Sequence, residues 1–255
     1  MYIDSHLHLS NEDYDIDEVI KRAKENDVRY FITGGINKEN NLCDIKLSKK
    51  HKEIYITLGY HPEYADEITE EDLELLERQI IENKEKVVGI GEIGLDYHYT
   101  KENKDRQIWL LKSQIEIANK YNLPVVIHSR DATLDTYNIL KETKAKGVIH
   151  CFSGSLETAK EYIKLGFKLG IGGVVTFKNS NLKEVIKELD IENIILETDS
   201  PYLSPIRGSK NEPKNIKLIG EFISNIYNLE EQKIKNITTK NVINIFNLKI
   251  NIKKI

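Results

Sequence analysis

The stretch MYIDSHLHLS at the start of the chain places His6 and His8 two residues apart. Residues i and i+2 of a strand face the same side, so a strand here would set two imidazoles beside one shared ligand. Similar side chains close other apolar runs: His61 in IYITLGYHP, Glu92 in KVVGIGEIGLDY, His128 and Arg130 in LPVVIHSRD, His150 in KGVIHCFSG, and Asp199 in NIILETDSPYL. Five of the seven histidines fall on such ends, where a random scatter would place roughly one. Imidazole and carboxylate without thiolate suit Zn, Mn, Fe or Co. Four histidines (His6, His8, His128, His150) with Glu92 and Asp199 are too many for one open catalytic ion, and a pair of ions accounts for them better.

Plainer readings exist for each residue. A buried Glu92 without a counter-charge would be costly, and no Lys or Arg nearby in sequence supplies one. Gly89, Gly91 and Gly94 around it allow backbones to approach closely. Asp199 before Ser200 and Pro201 could cap a turn, and His61 before Pro62 could anchor a loop. His51 in KKHKE is read as solvent-exposed. His98 in LDYHYT is equally consistent with packing and with a place beside the site.

What positions these residues is an alternation of short apolar runs with charged amphipathic segments. Eight runs are found: MYIDSHLHL, VRYFITGG, IYITLGYHP, KVVGIGEIGLDY, LPVVIHSRD, KGVIHCFSG, FKLGIGGVVTF and NIILETDSPYL. The segments between them, such as DEVIKRAKEND, ITEEDLELLERQIIENK and RQIWLLKSQIEIANKYN, repeat apolar residues every three or four positions, as amphipathic helices do. Helix starts are expected at Thr69, three before Asp72, and at Asn228, three before Glu231. Strands that are apolar almost end to end, alternating with helices, predict a parallel α/β sheet. Eight units favour a single-domain (β/α)8 TIM barrel over residues 1–255, with a helical C-terminal tail from about 211. In that fold the C-terminal strand ends meet at the face where catalytic groups sit.

The 255 residues carry 37 Lys and Arg against 41 Asp and Glu, a formal charge of −4. No global basic field exists to hold nucleic acid nonspecifically, so any nucleic-acid chemistry must be local. Two unpaired cysteines, Cys43 and Cys151, suggest neither a disulfide framework nor a thiolate zinc site, and a reducing cytoplasm is expected. No signal-like segment and no membrane-length apolar run is present in the sequence.

Taken in order, DSHLHL, LGYHPE, GEIGLDYHY, IHSRDA, HCFSG, ETDSPYL, RGSKNEP and TTKNVINIF resemble the TatD family of metal-dependent deoxyribonucleases, across nearly the whole chain. An isolated H-x-H occurs in many metallohydrolases; the ordered set is specific. The segment LSPIRGSKNEP looks shorter than its usual counterpart, a departure that bears on substrate preference. The resemblance implies an amidohydrolase-like barrel holding one divalent ion (Mg, Mn or Zn) through His6, His8, Glu92 and Asp199. A second is implied at Glu92, His128 and His150, with Glu92 bridging. It also implies hydrolysis of phosphodiester bonds in DNA, commonly at single-stranded ends, so the expected partner is DNA, with no membrane and no obligate protein partner.

On this reading Asp199 is both ligand and general base. Arg130, of the same parity as His128, would hold a nonbridging phosphate oxygen bidentately, with Arg207, Lys210 and His61 as further substrate contacts. Asp4, two residues before His6, would orient a ligand imidazole. Glu197, two before Asp199, is a buried carboxylate with no partner visible in the sequence. The alternatives are an amidohydrolase acting on a small cyclic amide, ester or lactone or on an aminoacyl-tRNA ester, and a nonenzymatic metal-stabilised interaction protein.

Overall fold

A computed structural model describes residues 1–98 and 100–250; Tyr99 and residues 251–255, the end of the expected helical tail, lie outside the described residues. The strands are β1 (Tyr2–Leu7), β2 (Val28–Gly34), β3 (Ile54–Leu58), β4 (Val87–Asp96), β5 (Val125–Arg130), β6 (Gly147–Ile149), β7 (Lys168–Ile171) and β8 (Ile194–Leu196). They form one sheet in the order β1 to β8, and each of the eight expected runs contains one of them. Helices follow them: α1 (Ile16–Glu25), α2 (Lys38–Lys50), α3 (Glu70–Glu82), α4 (Lys104–Tyr121), α5 (Thr133–Glu142), α6 (Leu156–Lys164), α7 (Leu182–Lys187), α8 (Ile216–Tyr227) and α9 (Glu231–Ile245). Parallel strands in sequential order, each followed by helix, make the (β/α)8 TIM barrel expected from the sequence.

Local chemistry explains the elements. In α1, Ile16, Val19, Ile20 and Ala23 are buried along one stripe, and the Asp15 side chain accepts from the Glu18 amide at 3.2 Å, satisfying an N-terminal donor. The expected box at α3 forms: Thr69 Oγ1 accepts from the Asp72 amide and the Asp72 carboxylate accepts from the Thr69 amide at 3.0 Å. At Asn228 the expectation is corrected. Its φ of 50° makes it the left-handed C-cap of α8, and α9 starts after Glu230, which makes no side-chain capping bond, because Asn is as suited to ending a helix as to starting one. The seventh run also divides, since β7 stops at Ile171 and Gly173–Thr176 is a 3-10 turn. A Cβ on Gly173 would lie 2.0 Å from the Leu203 carbonyl, so the chain passes that point only as glycine. His51, expected in solvent, is half-buried at the C-cap of α2.

Residues pack into two compact units. One comprises residues 1–33, 151–164 and 168–255, in which β1 pairs with β2 and β7 with β8 in parallel and Ile3, Leu7, Phe31, Ile171 and Leu196 are buried. The other comprises residues 34–150 and 165–167, with β3 to β6 paired in parallel over Ile56, Leu58, Ile93, Val126 and Val148. Among the described residues no helix is long and apolar enough to cross a membrane.

Candidate metal centre

In the first unit the C-terminal end of β1 lies beside the segment that follows β8. The Asp199 amide donates to the His6 carbonyl at 3.0 Å and the His8 amide to the Ser200 carbonyl at 2.8 Å. That backbone pairing brings three side chains together: His6 Nε2 and His8 Nε2 are 3.3 Å apart, and Asp199 Oδ1 is 3.9 and 3.6 Å from them. The Asp199 carboxylate therefore faces the histidines. Asp4, on the same face of β1, is fully buried and accepts from the Thr198 amide at 2.9 Å and from Thr198 Oγ1 at 2.5 Å. It fixes the backbone next to Asp199; burial raises its carboxyl well above the ordinary aspartate range despite the Thr198 hydrogen bonds, which pull the other way. Glu197, whose partner the sequence left open, accepts from the Cys151 amide at 2.5 Å. Gly170 makes room for it, since a Cβ there would meet Glu197 Oε2 at 2.2 Å.

In the second unit Glu92 lies on β4 and is the hub of three imidazoles. Its Oε1 is 2.9 Å from His128 Nδ1 and 3.8 Å from both His150 Nε2 and His61 Nε2. The His61 and His128 rings pack edge to face with centroids 4.5 Å apart. His61 Nδ1 accepts from the Glu63 amide at 3.3 Å, starting the turn at Pro62–Tyr64, so it anchors its loop while its other nitrogen faces Glu92. The sequence reading missed Asp96, which has the parity of Glu92 at the end of the same strand. Its Oδ2 is 2.9 Å from His128 Nε2, and its Oδ1 accepts from the His98 amide at 2.9 Å. Burial alone would lower the His128 pKa; hydrogen bonds to Asp96 and then Glu92 outweigh it and raise the value to about 9. Burial would likewise raise Asp96, but its bond to His128 wins and holds it below the usual range. His98 is exposed and pairs with Asp131 at 3.0 Å.

The expected phosphate contacts are spread. Arg130 is exposed at the end of β5, two residues beyond His128 on the same face. Arg207 is exposed in the loop after β8. Lys210 reaches Asp13 Oδ1 at 2.7 Å and lies 5.1 Å over the Tyr14 ring; its ammonium ties the loop after β8 to the loop before α1.

Metal ions of the kind these donors suit fit both clusters. Ligand atoms held at about 2.1 Å from one ion are separated from each other by roughly 3.0–3.4 Å; the candidate atoms stand 3.3–3.9 Å apart in the first cluster and 2.9–3.8 Å from Glu92 Oε1 in the second, so small side-chain shifts close them around an ion. His128 offers one nitrogen toward Glu92 while the other hydrogen-bonds Asp96, the carboxylate support that ligand histidines carry.

A parallel barrel with histidine and carboxylate clusters at its strand ends is the arrangement of a metal-dependent hydrolase. A family model described as TatD related DNase matches residues 3–247. The uncharacterized metal-dependent hydrolase YabD of Bacillus subtilis is 41% identical over 97% of this chain and 100% of its own length. The uncharacterized metal-dependent hydrolase MJ1582 of Methanocaldococcus jannaschii is 38% identical over 96% of each chain. Among solved structures, the TatD homologue YJJV of Escherichia coli superposes with a TM-score of 0.91 at 30% identity, covering 96% of this chain and 98% of that one. The chain belongs to the TatD family of metal-dependent hydrolases.

Proposed function

We propose that this protein is a divalent-metal-dependent deoxyribonuclease that hydrolyses phosphodiester bonds at single-stranded DNA ends with two ions. The observation that carries the reading is the pair of donor sets, His6 with His8 and Asp199 and Glu92 with the imidazoles of His128, His61 and His150 around its Oε1. Following the family resemblance, His6, His8, Glu92 and Asp199 hold one ion and Glu92, His128 and His150 the other. When bound, such ions acidify water and offset charge on a phosphate. Asp199 takes the proton of the attacking water as general base. Arg130 grips a nonbridging phosphate oxygen with its planar fork, a geometry that Lys cannot reproduce. His61 contributes its Glu92-facing nitrogen to the substrate side, and Arg207 draws the adjoining phosphate. The small negative net charge agrees with an enzyme that engages a strand end locally and does not coat a duplex.

The deciding experiment follows end-labelled single- and double-stranded DNA with Mg, Mn, Zn and EDTA in parallel, beside bis(p-nitrophenyl) phosphate and a lactone panel. Shortening from single-stranded ends, abolished by EDTA and by Glu92→Gln, is the expected result. Lactone turnover without DNA cleavage would assign a ring-opening hydrolase instead. Wild-type rates from Glu92→Gln would remove Glu92 from the site.

A further inference from the structure

Three of the large apolar side chains exposed on the described surface lie within five residues of one another, directly after Asp199: Tyr202 at 61% exposure, Leu203 at 38% and Ile206 at 46%. Burying apolar surface is the main driving force of folding, so a folded chain that keeps a tyrosine ring this far out of its core leaves stability unused there. The segment is nevertheless held firmly. The Tyr202 amide donates to the Asp199 carbonyl at 2.8 Å, and the Tyr202 carbonyl accepts from Asn211 Nδ2 at 2.7 Å. The same amide group of Asn211 also donates to the Thr198 carbonyl at 2.7 Å, and Tyr14 Oη donates to the Asn211 carbonyl at 2.5 Å. Gly173 closes against the Leu203 carbonyl. The backbone is thus fixed while the ring is offered to solvent. Its place is specific: the Tyr202 ring meets His8 edge to face with centroids 6.1 Å apart, so it borders the His6, His8 and Asp199 cluster.

We propose that Tyr202 is the specificity-determining platform on which the base next to the scissile phosphate stacks. The inference rests on the nuclease reading and adds to it the reason for a single-stranded end. An aromatic face accepts any base whose own face is unpaired and free to leave its neighbour, at a gain that is tolerant of sequence. A paired base is held by its partner strand as well as by its stacked neighbour, and turning it onto the ring beside the scissile phosphate requires the pair to be opened. With no broad basic field on the chain, the stack supplies grip that phosphate contacts alone do not.

The test compares a ten-residue oligothymidylate with the same chain carrying abasic residues at its two terminal positions at each end, using wild type, Tyr202→Ala and Tyr202→Phe with Mn or Mg. Wild type should prefer the base-bearing end. In Tyr202→Ala the ratio of kcat/KM between the two substrates should fall about 5- to 100-fold, the loss of one base–aromatic stack, and the loss should appear in KM. Tyr202→Phe should keep the ratio, and bound metal should be unchanged in both variants. Equal loss on both substrates together with lower metal content would mean that Tyr202 merely props His8, and the proposal would be overturned. A wild type that cleaves both substrates equally would also overturn it while leaving the nuclease reading standing. A wild type that cleaves neither with any metal would remove both.

Discussion

His128 is held at both ring nitrogens, by Glu92 at 2.9 Å and by Asp96 at 2.9 Å. A histidine that offers one nitrogen to a metal needs its other proton anchored, or the ring samples both tautomers and several orientations. Asp96→Ala should therefore cost about 10- to 100-fold in metal affinity or in kcat/KM, with little change in the melting temperature. Metal stoichiometry after dialysis, read beside kcat/KM, checks this. Full metal content and full activity in that variant would leave Asp96 only the role of receiving the His98 amide. Asp96 was legible in principle, since residues 92, 94 and 96 of one strand share a face. What hid it was its setting in LDYHY, which reads as a strand giving way to a turn, where aspartate is ordinary.

The elements were the most legible level because periodicity is written locally. Each strand lies within an apolar run, and the Thr69 box forms as its spacing predicts. The misses arose where a distant part of the chain decides. Asn228 could end α8 or begin α9, and only the packing of the two helices chooses. The break of the seventh run at Gly172 and Gly173 depends on the Leu203 carbonyl, some thirty residues on in the sequence. The glycines around Glu92 permit close approach, and their neighbours in the structure are specific. A Cβ on Gly91 would meet Val126 Cβ at 2.6 Å, and one on Gly94 would meet the His128 carbonyl at 1.9 Å. Gly94 thus lets β4 and β5 close where Glu92 and His128 face each other. Gly94→Ala should destabilise by about 3 kcal/mol, because a strand backbone cannot step aside, lowering the melting temperature by roughly 6–12 °C. Gly208→Ala is the comparison, with a φ of 78° but nothing within 4 Å of its Cβ; backbone strain alone should cost about 1–2 kcal/mol there. Calorimetry on the two variants tests the ranking, and equal losses would mean that conformation and not contact governs Gly94.

On the scale of the whole chain, β1 is clasped by the last described helix through residues far apart in sequence. Thr239 Oγ1 donates to the Met1 carbonyl at 2.9 Å, Tyr2 Oη donates to Glu231 at 2.9 Å, and Lys235 Nζ lies 3.0 Å from Asp27 Oδ2 and 4.8 Å over the Tyr2 ring. No local pattern signals these contacts, which is why the sequence showed helices after residue 211 without showing what they hold. The Lys235 side chain is 11% exposed and that of Asp27 41%, so removing the carboxylate leaves a largely buried ammonium short of a partner. Asp27→Asn should cost about 1–2 kcal/mol, less than a fully buried pair would because water screens the Asp27 side. Asn tolerates the left-handed backbone at this position, where φ is 64°, so the substitution adds no strain of its own. Burial alone would raise the Asp27 pKa, but the Lys235 hydrogen bond and the charges of the N-terminal ammonium, 3.4 Å away, and of Lys235 outweigh it and hold the carboxyl below its ordinary range. A carboxylate with a depressed folded pKa stabilises fully above its unfolded value, about 3.9, and loses that contribution as pH falls through the folded value. The stability gap between wild type and Asp27→Asn should therefore persist from neutral pH to about 5 and shrink only below about 4 on the acid side. Urea unfolding of both proteins at pH 7, 5 and 3.5 measures it. A gap that is absent at neutral pH, or that widens in acid, would show that the Asp27 carboxylate, which also faces the N-terminal ammonium and Arg29 at 3.4 Å each, adds no net stability and that Glu231 and the Tyr2 ring suffice for Lys235.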